Sequence, residues 1–357
     1  MSARSLEFVI PGDLQTATGG YGYDRRMIAG LRCLGWQVTV HALDTSFPLP
    51  TSAALEHADT VFAGMCEHAL VLVDGLALGA MPRVLKAHCM RLELLALIHH
   101  PLALEGGVGP EVARALENSE RCALQTARHV FVTSDTTKQA LSAYGIEPER
   151  VSVVEPGSDA APLARGRRDE ALKLLCVAAI IPRKGHDVLV DALAPLAALP
   201  WHLTCIGSLT RDPPTVARLR SQLQRLGLED RVKLVGEVSA AALTGAYLDA
   251  GLFVLPSRFE GYGMAVAEAL AHGLPVVGTR VGAIEQLVGA NAGLLVAPGN
   301  VSDLGEALAR LLQGPALLAS LASGAAIARG MLPRWPQACS RMSDVLERLR
   351  DASRNPP

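Results

Sequence analysis

A chain of 357 residues, half of them hydrophobic but only 4% aromatic, has room for two domains with a sizeable core each, and its composition excludes a disordered or fibrous chain. A formal net charge of −2 leaves no basic footprint for nucleic acid. Seven widely spaced cysteines without a CxxC pair argue against a disulfide frame or a zinc site and for reduced thiols in a cytoplasm. No signal peptide or transmembrane segment is expected. Phe8-Val9-Ile10 is a short apolar core cut off by Pro11 and Gly12, and Asp74 and Arg83 interrupt the longest apolar candidate. Peripheral contact with a membrane surface stays open.

In chain order, Leu6 to Ile10 reads as a strand, followed by a loop holding Gly19-Gly20-Tyr21-Gly22. A helix from about Asp24 to Leu34 and a strand from Gln37 to Ala42 come next. This β-loop-α-β opening invites comparison with a dinucleotide site, but a GxGxxG pattern from Gly20 would need a glycine where Arg25 stands. Short apolar runs at Leu70 to Val73, Leu94 to Ile98, Val130 to Val132 and Val151 to Val154 read as buried strands. Pro110 to Ala127 and Asp135 to Tyr144 read as helices, the second with Ser134 as N-cap. Alternating strands and helices imply a parallel sheet covered on both faces. His99-His100-Pro101 directly follows a buried strand, where α/β sheets place ligand-contacting residues.

Residues 155–171, rich in Pro, Gly, Ala and charge, read as an interdomain linker. The alternation then restarts. Strands are expected at Leu172 to Ala178, Leu203 to Ile206, Val232 to Val235, Leu252 to Leu255, Val276 to Gly278 and Leu294 to Val296. Helices are expected over 187–197, 214–226, 239–249, 264–272 and 302–313. The tail after Gly314-Pro315 reads as helical to Arg350, broken by Pro333 and Pro336. The expected architecture is α/β, with two Rossmann-like doubly wound domains facing a cleft. The first covers 1–160 and the second 161–335, and a C-terminal helix over 336–357 is expected to pack back on the first.

The stretch Leu252 to Gly278 is a strand, a glycine loop, a helix and a second strand, with Glu260 in the loop and Glu268 in the helix. Gly261 and Gly263 lack Cβ atoms, so the backbone there can approach a ligand and adopt positive φ. The helix that starts at Met264 offers free N–H groups and a positive dipole end to phosphate. The carboxylates suit paired hydroxyls, such as those of a ribose or a sugar ring. Arg183-Lys184-Gly185, just after the second domain's first strand, suits a pyrophosphate.

Glu260 and Glu268, separated by seven residues in this setting, resemble the E-x7-E signature of retaining GT-B glycosyltransferases, family 4 in particular. The likeness extends to Gly19-Gly20 before a helix ending in Leu34-Gly35-Trp36, and to Pro182-Arg183-Lys184-Gly185-His186-Asp187. Arg231 to Gly236 and Gly282-Ala283-Ile284-Glu285 complete it. The resemblance implies transfer of a sugar, a hexose by expectation, from a nucleotide-diphosphate sugar with retention at the anomeric carbon. Glu260 would hold donor-sugar hydroxyls, and Gly261, Tyr262, Gly263 and Met264 would bound the sugar and diphosphate. Glu268 would grip the ribose. Lys184, helped by Arg183, would neutralise the phosphates as the leaving group departs, and Gly20 would approach from the first domain. His99 matches the family's histidine near the transferred sugar, with His100 one position away as the alternative.

One departure stands out: Ala179 occupies the position where many relatives carry an arginine, so either Arg183 supplies that charge or phosphate binding is weaker. No DxD motif is present, and the reaction is expected to proceed without metal or cofactor, the donor being a co-substrate. Two other readings are weighed, a GT-B epimerase or phosphorylase and a non-catalytic nucleotide-sugar-binding protein. For the unknown acceptor, Arg25 and Arg26 at a helix start and the stretch Glu105-Gly106-Gly107-Val108-Gly109, expected to be a mobile loop, are the available candidates.

Overall fold

The computed structural model describes residues 4–104, 109–166 and 170–354. It resolves into two compact units: residues up to 157 together with those from 333 onward, and residues 158–332. The boundaries expected from the sequence, 160/161 and 335/336, each lie three residues later.

The first unit is built on six parallel strands: β1 (Arg4–Pro11), β2 (Trp36–Leu43), β3 (Leu70–Asp74), β4 (Glu93–Ile98), β5 (His129–Val132) and β6 (Val151–Val153). They lie in the order β2-β1-β3-β4-β5-β6. Every residue of β3 and β5 is buried, as expected of parallel strands covered on both faces. The second unit holds β7 (Leu172–Val177), β8 (Trp201–Ile206), β9 (Val232–Gly236), β10 (Leu252–Leu255), β11 (Val276–Thr279) and β12 (Gly293–Val296), ordered β12-β11-β10-β7-β8-β9. Each unit is therefore a doubly wound α/β sheet. Strand order reverses between β1 and β3 in one and between β7 and β10 in the other, and the carboxyl ends flanking such a reversal are where these sheets hold ligands.

Three local expectations need correction. The first helix begins at Gly19 rather than Asp24, because Thr18 caps it by accepting the Tyr21 N–H at 3.2 Å. Glycine-rich sequence is a poor helix former, so nothing local announced that turn. The helix expected over 187–197 runs as α-helix only over His186–Leu193, and Ala194–Leu196 continues as a 3-10 turn around Pro195, which has no amide hydrogen to donate. In the tail, Pro333 lies in the gap between the helices Pro315–Ala328 and Trp335–Arg354, but Pro336 does not break a helix. It is the second residue of the last one, in the turn whose N–H groups need no helical partner.

That last helix belongs to the first unit and packs on the helix Gly19–Cys33, with the Trp36 indole N–H donating to Ser343 Oγ at 2.9 Å. The stretch read as a linker is partly a strap on the second unit: the Ala164 N–H donates to His272 O at 2.8 Å and the Arg165 N–H to Leu248 O at 2.9 Å. Four residues of the expected mobile loop, 105–108, lie outside the described residues. Among the described residues, no single helix is long and apolar enough to cross a membrane.

Candidate functional site

In the first unit the candidate residues gather at the carboxyl ends of β3 and β4. Asp74 closes β3, and His99 follows β4 by one residue. The His99 ring lies against the first turn of the helix Gly19–Cys33. A Cβ on Gly20 would stand 3.3 Å from ring atom Cδ2, tight enough that the ring would have to give by a few tenths of an ångström. One helical turn further, Asp24 is fully buried. His99 Nε2 is 3.2 Å from Asp24 Oδ1 and 3.4 Å from Asp74 Oδ2, so a single N–H is offered to two carboxylates. Tyr23 meets the ring edge-on at 5.3 Å between centroids, its hydroxyl donating to Val154 O at 3.0 Å.

Burial disfavours a charged imidazole here, but Asp24 and Asp74 outweigh it and push His99 up to about 10. Burial pushes Asp24 up to about 6, moderated by His99. Of the adjacent histidines, His99 is the one whose ring meets Gly20 and the two carboxylates. Of the two acceptor candidates on the helix, Arg25 is half-buried and Arg26 is exposed. Arg25 donates from Nη1 to Leu14 O at 2.5 Å and Thr16 O at 3.1 Å, and the Arg26 guanidinium lies over the Trp335 ring at 5.8 Å.

In the second unit the candidates converge on the carboxyl ends of β7 and β10. Arg183 and Lys184 sit in a 3-10 turn, Pro182–Lys184, beyond β7; Glu260 sits in the loop after β10. Glu260 is buried, 6% exposed, and its Oε1 accepts from Lys184 Nζ at 2.5 Å and from Ser257 Oγ at 2.6 Å. Arg183 Nη1 lies 3.6 Å from Glu260 Oε2 and donates to Phe259 O at 2.9 Å. The turn is tied to the loop a second time, since Arg258 bridges Pro182 O at 2.6 Å and Asp187 Oδ2 at 2.7 Å. Burial alone would push the Glu260 carboxyl up; Lys184 and then Arg183 reverse this and hold it below the ordinary range. Burial lowers Lys184, partly offset by Glu260.

Gly261 and Tyr262 are buried in the loop, and Gly263 is the N-cap of the helix Met264–Ala271 with φ of 98°. Positive φ is found at Gly263 and not at Gly261, a correction to the expectation for the pair. Glu268 is exposed on that helix, and its Oε2 accepts from the Tyr247 hydroxyl at 2.9 Å.

The two glutamates thus have unlike settings, one locked in an ion pair and one at the surface with a single neutral partner. Sequence reading missed four contributors: Asp24, Asp74, Ser257 and Tyr247. Two had a legible signal. Asp74 is a carboxylate closing an otherwise apolar strand, and Asp24 lies on the same helix stripe as the buried Met27, Ile28 and Leu31.

Residues 171–314 match the profile of the family described as glycosyl transferases group 1. Among curated proteins, an MMP alpha-(1->4)-mannosyltransferase from Mycolicibacterium hassiacum is 28% identical over 285 residues, 75% of this chain and 68% of that one. A D-inositol 3-phosphate glycosyltransferase 2 from Catenulispora acidiphila is 32% identical over 267 residues, 69% of this chain and 62% of that one. The chain thus spans less than two thirds of the second relative's length. Among solved structures, sucrose-phosphate synthase from Thermosynechococcus elongatus aligns at TM-score 0.80 and 22% identity, covering 97% of this chain and all of that one. Anabaena HepE in complex with UDP and glucose aligns at TM-score 0.75 and 18% identity, over 97% of this chain and 99% of that one. These likenesses establish the fold as GT-B.

Proposed function

We propose, from the match of residues 171–314 to the glycosyl transferases group 1 profile, that the chain is a retaining glycosyltransferase of family 4. It transfers a hexose from a nucleoside diphosphate sugar to an acceptor hydroxyl and needs no metal. The observation that carries the reading is the Lys184–Glu260 pair, with Arg183 beside it, where strand order reverses between β7 and β10. The UDP and glucose held by HepE support the same donor class.

Glu268, exposed and steadied by Tyr247, hydrogen-bonds the ribose hydroxyls. Gly261, Tyr262, Gly263 and Met264 bound the sugar and diphosphate, with the amide groups at the start of the helix Met264–Ala271 directed at phosphate. Glu260 accepts from donor-sugar hydroxyls through the carboxylate oxygen that Lys184 leaves free. Lys184 and Arg183 are fixed cations that stabilise charge on the departing diphosphate, the work a divalent ion does in other sites. Arg183 stands in for the arginine absent at Ala179. On the family resemblance, His99, with Gly20 against its ring, contacts the transferred sugar. The acceptor attacks on the face the leaving group departs from, which retains the anomeric configuration without a covalent intermediate. Seven free cysteines support a reducing, cytoplasmic setting.

A thermal-shift panel of nucleoside diphosphate sugars tests the reading. One donor is expected to raise the melting temperature of the wild type and to lose most of that effect in Glu268→Ala. A flat response to every donor overturns the donor-site assignment.

A further inference from the structure

The first unit commits more charge to His99 than holding one side chain requires. Asp24 and Asp74 come from different elements, a helix and the end of β3, yet both address the same ring nitrogen. Both carboxylates are buried, at 0% and 1% exposure, and Arg25, which acts on Asp24 through its charge, spends its hydrogen bonds on Leu14 O and Thr16 O. Asp24 Oδ2 has no hydrogen-bond partner among the described residues. Asp74 Oδ1 accepts the Leu76 N–H at 2.8 Å, which fixes its orientation. The ring is further held through Gly20 on one side and Tyr23 edge-on, and the backbone carbonyl of His99 accepts from Thr133 Oγ1 at 3.3 Å. With Nε2 consumed, Nδ1 is the polar atom of His99 left over, and no described protein group bonds it.

We propose that Asp24 and Asp74 are paired positioning residues that keep His99 a doubly protonated imidazolium, its Nε2–H shared between them and its Nδ1–H presented to an oxygen of the bound sugar or its leaving phosphate. In this arrangement His99 is a fixed hydrogen-bond donor and cation and does not act as a general base. The proposal rests on the reading of His99 as the residue that faces the donor. Two buried carboxylates against one imidazole make its deprotonation costly, since the pair would then keep two mutually repelling anions in a dry site. The raised position of His99, about 10, agrees with this. The groups facing the ring are Asp24 and Tyr23 from the helix and Asp74 from β3, with Arg25 acting on Asp24.

Long-range proton–nitrogen NMR on histidine-labelled protein, with His99 assigned through His99→Gln, reads the protonation state directly. Both ring nitrogens are expected at protonated shifts from pH 6 to 9. Asp24→Asn, close to isosteric, should bring a His99 titration into that window, and Asp74→Asn should do the same in a separate protein in case the first fails to fold. Sugar transfer should fall mainly in kcat, and its rate in either variant should acquire a pH dependence that follows the His99 titration. A wild-type ring that titrates near its ordinary value, or variants that leave it unshifted, overturns the proposal. So does binding of Mn²⁺ or Zn²⁺ that Asp24→Asn abolishes, because the three ligand atoms lie within 4.8 Å of one another and would then be a metal site. If His99→Gln leaves transfer intact while the Asp variants still shift the ring, the protonation claim stands and the donor-facing reading of His99 fails instead.

Discussion

The decisive contact at the residue scale is the buried pair of Lys184 and Glu260. Side-chain exposures of 17% and 8% take both charges largely out of water, so removing one partner leaves the other uncompensated. Lys184→Met is expected to destabilise the protein by about 3 kcal/mol in urea denaturation, somewhat moderated by Ser257 and Arg183. Adding Glu260→Gln should recover part of that loss, because the stranded anion is gone and the two sites are directly coupled. A single-variant cost under about 0.5 kcal/mol, in the range of exposed pairs, would mean that water reaches the ion pair. From the sequence these residues are expected to make two separate ligand contacts. That they hold each other emerges only when the turn after β7 meets the loop after β10.

Among the elements, the two helices that close the first unit, Gly19–Cys33 and Trp335–Arg354, approach closely at Gly30. Helix propensity alone would make Gly30→Ala stabilising by roughly 1 kcal/mol. Here the added Cβ would overlap Cys339 Sγ and stand 2.8 Å from Cys339 Cβ. The expected net result is a loss of about 1–3 kcal/mol in equilibrium unfolding, the usual range for overpacking. Cys339→Ala in the same chain should restore part of it; an unchanged melting temperature for Gly30→Ala would show that the helices part without cost. The element list itself was largely readable, since a run such as Leu252 to Leu255 between turn residues can only be a buried strand in this context. Boundaries were less so. Thr18 extends the first helix back over three glycines, and Pro195 tightens another helix to a 3-10 turn, effects that depend on cap and backbone hydrogen bonds more than on apolar spacing.

Over the whole molecule, the first unit holds two alkaline-sensitive groups, His99 and Glu120, and the second holds an acid-sensitive one, Glu260. His99 is raised to about 10 and Glu120 to about 7, each above its unfolded value. Their contributions are fully present below the unfolded values and are lost as pH rises through the folded ones, so the first unit should weaken from about pH 5 toward pH 10. Glu260 is depressed, so its contribution is present above its unfolded value near 4.5 and is lost as pH falls through the folded one. Hydrogen exchange resolved by unit should show protection in residues 4–157 dropping at pH 9 relative to pH 6, and protection in 158–332 dropping at acid pH. Glu120→Gln should blunt the alkaline loss, since Glu120 Oε1 is buried without a partner while Oε2 accepts the Leu102 N–H at 3.0 Å. An unchanged protection of residues 4–157 between pH 6 and pH 9 would contradict the assignment of His99 and Glu120.

Periodicity and glycine placement determined by themselves that this chain is two parallel α/β sheets, with a glycine loop flanked by Glu260 and Glu268 in the second. Those are local properties, carried by apolar runs and by turn residues a few positions apart. Only the tertiary structure decided which charges neutralise one another. Asp24, Asp74 and His99 are separated by 50 and 25 residues in the chain and meet because the order β1-β3-β4 brings their strand ends side by side. A pairing of that kind is set by long-range sheet topology, which no short window of sequence encodes.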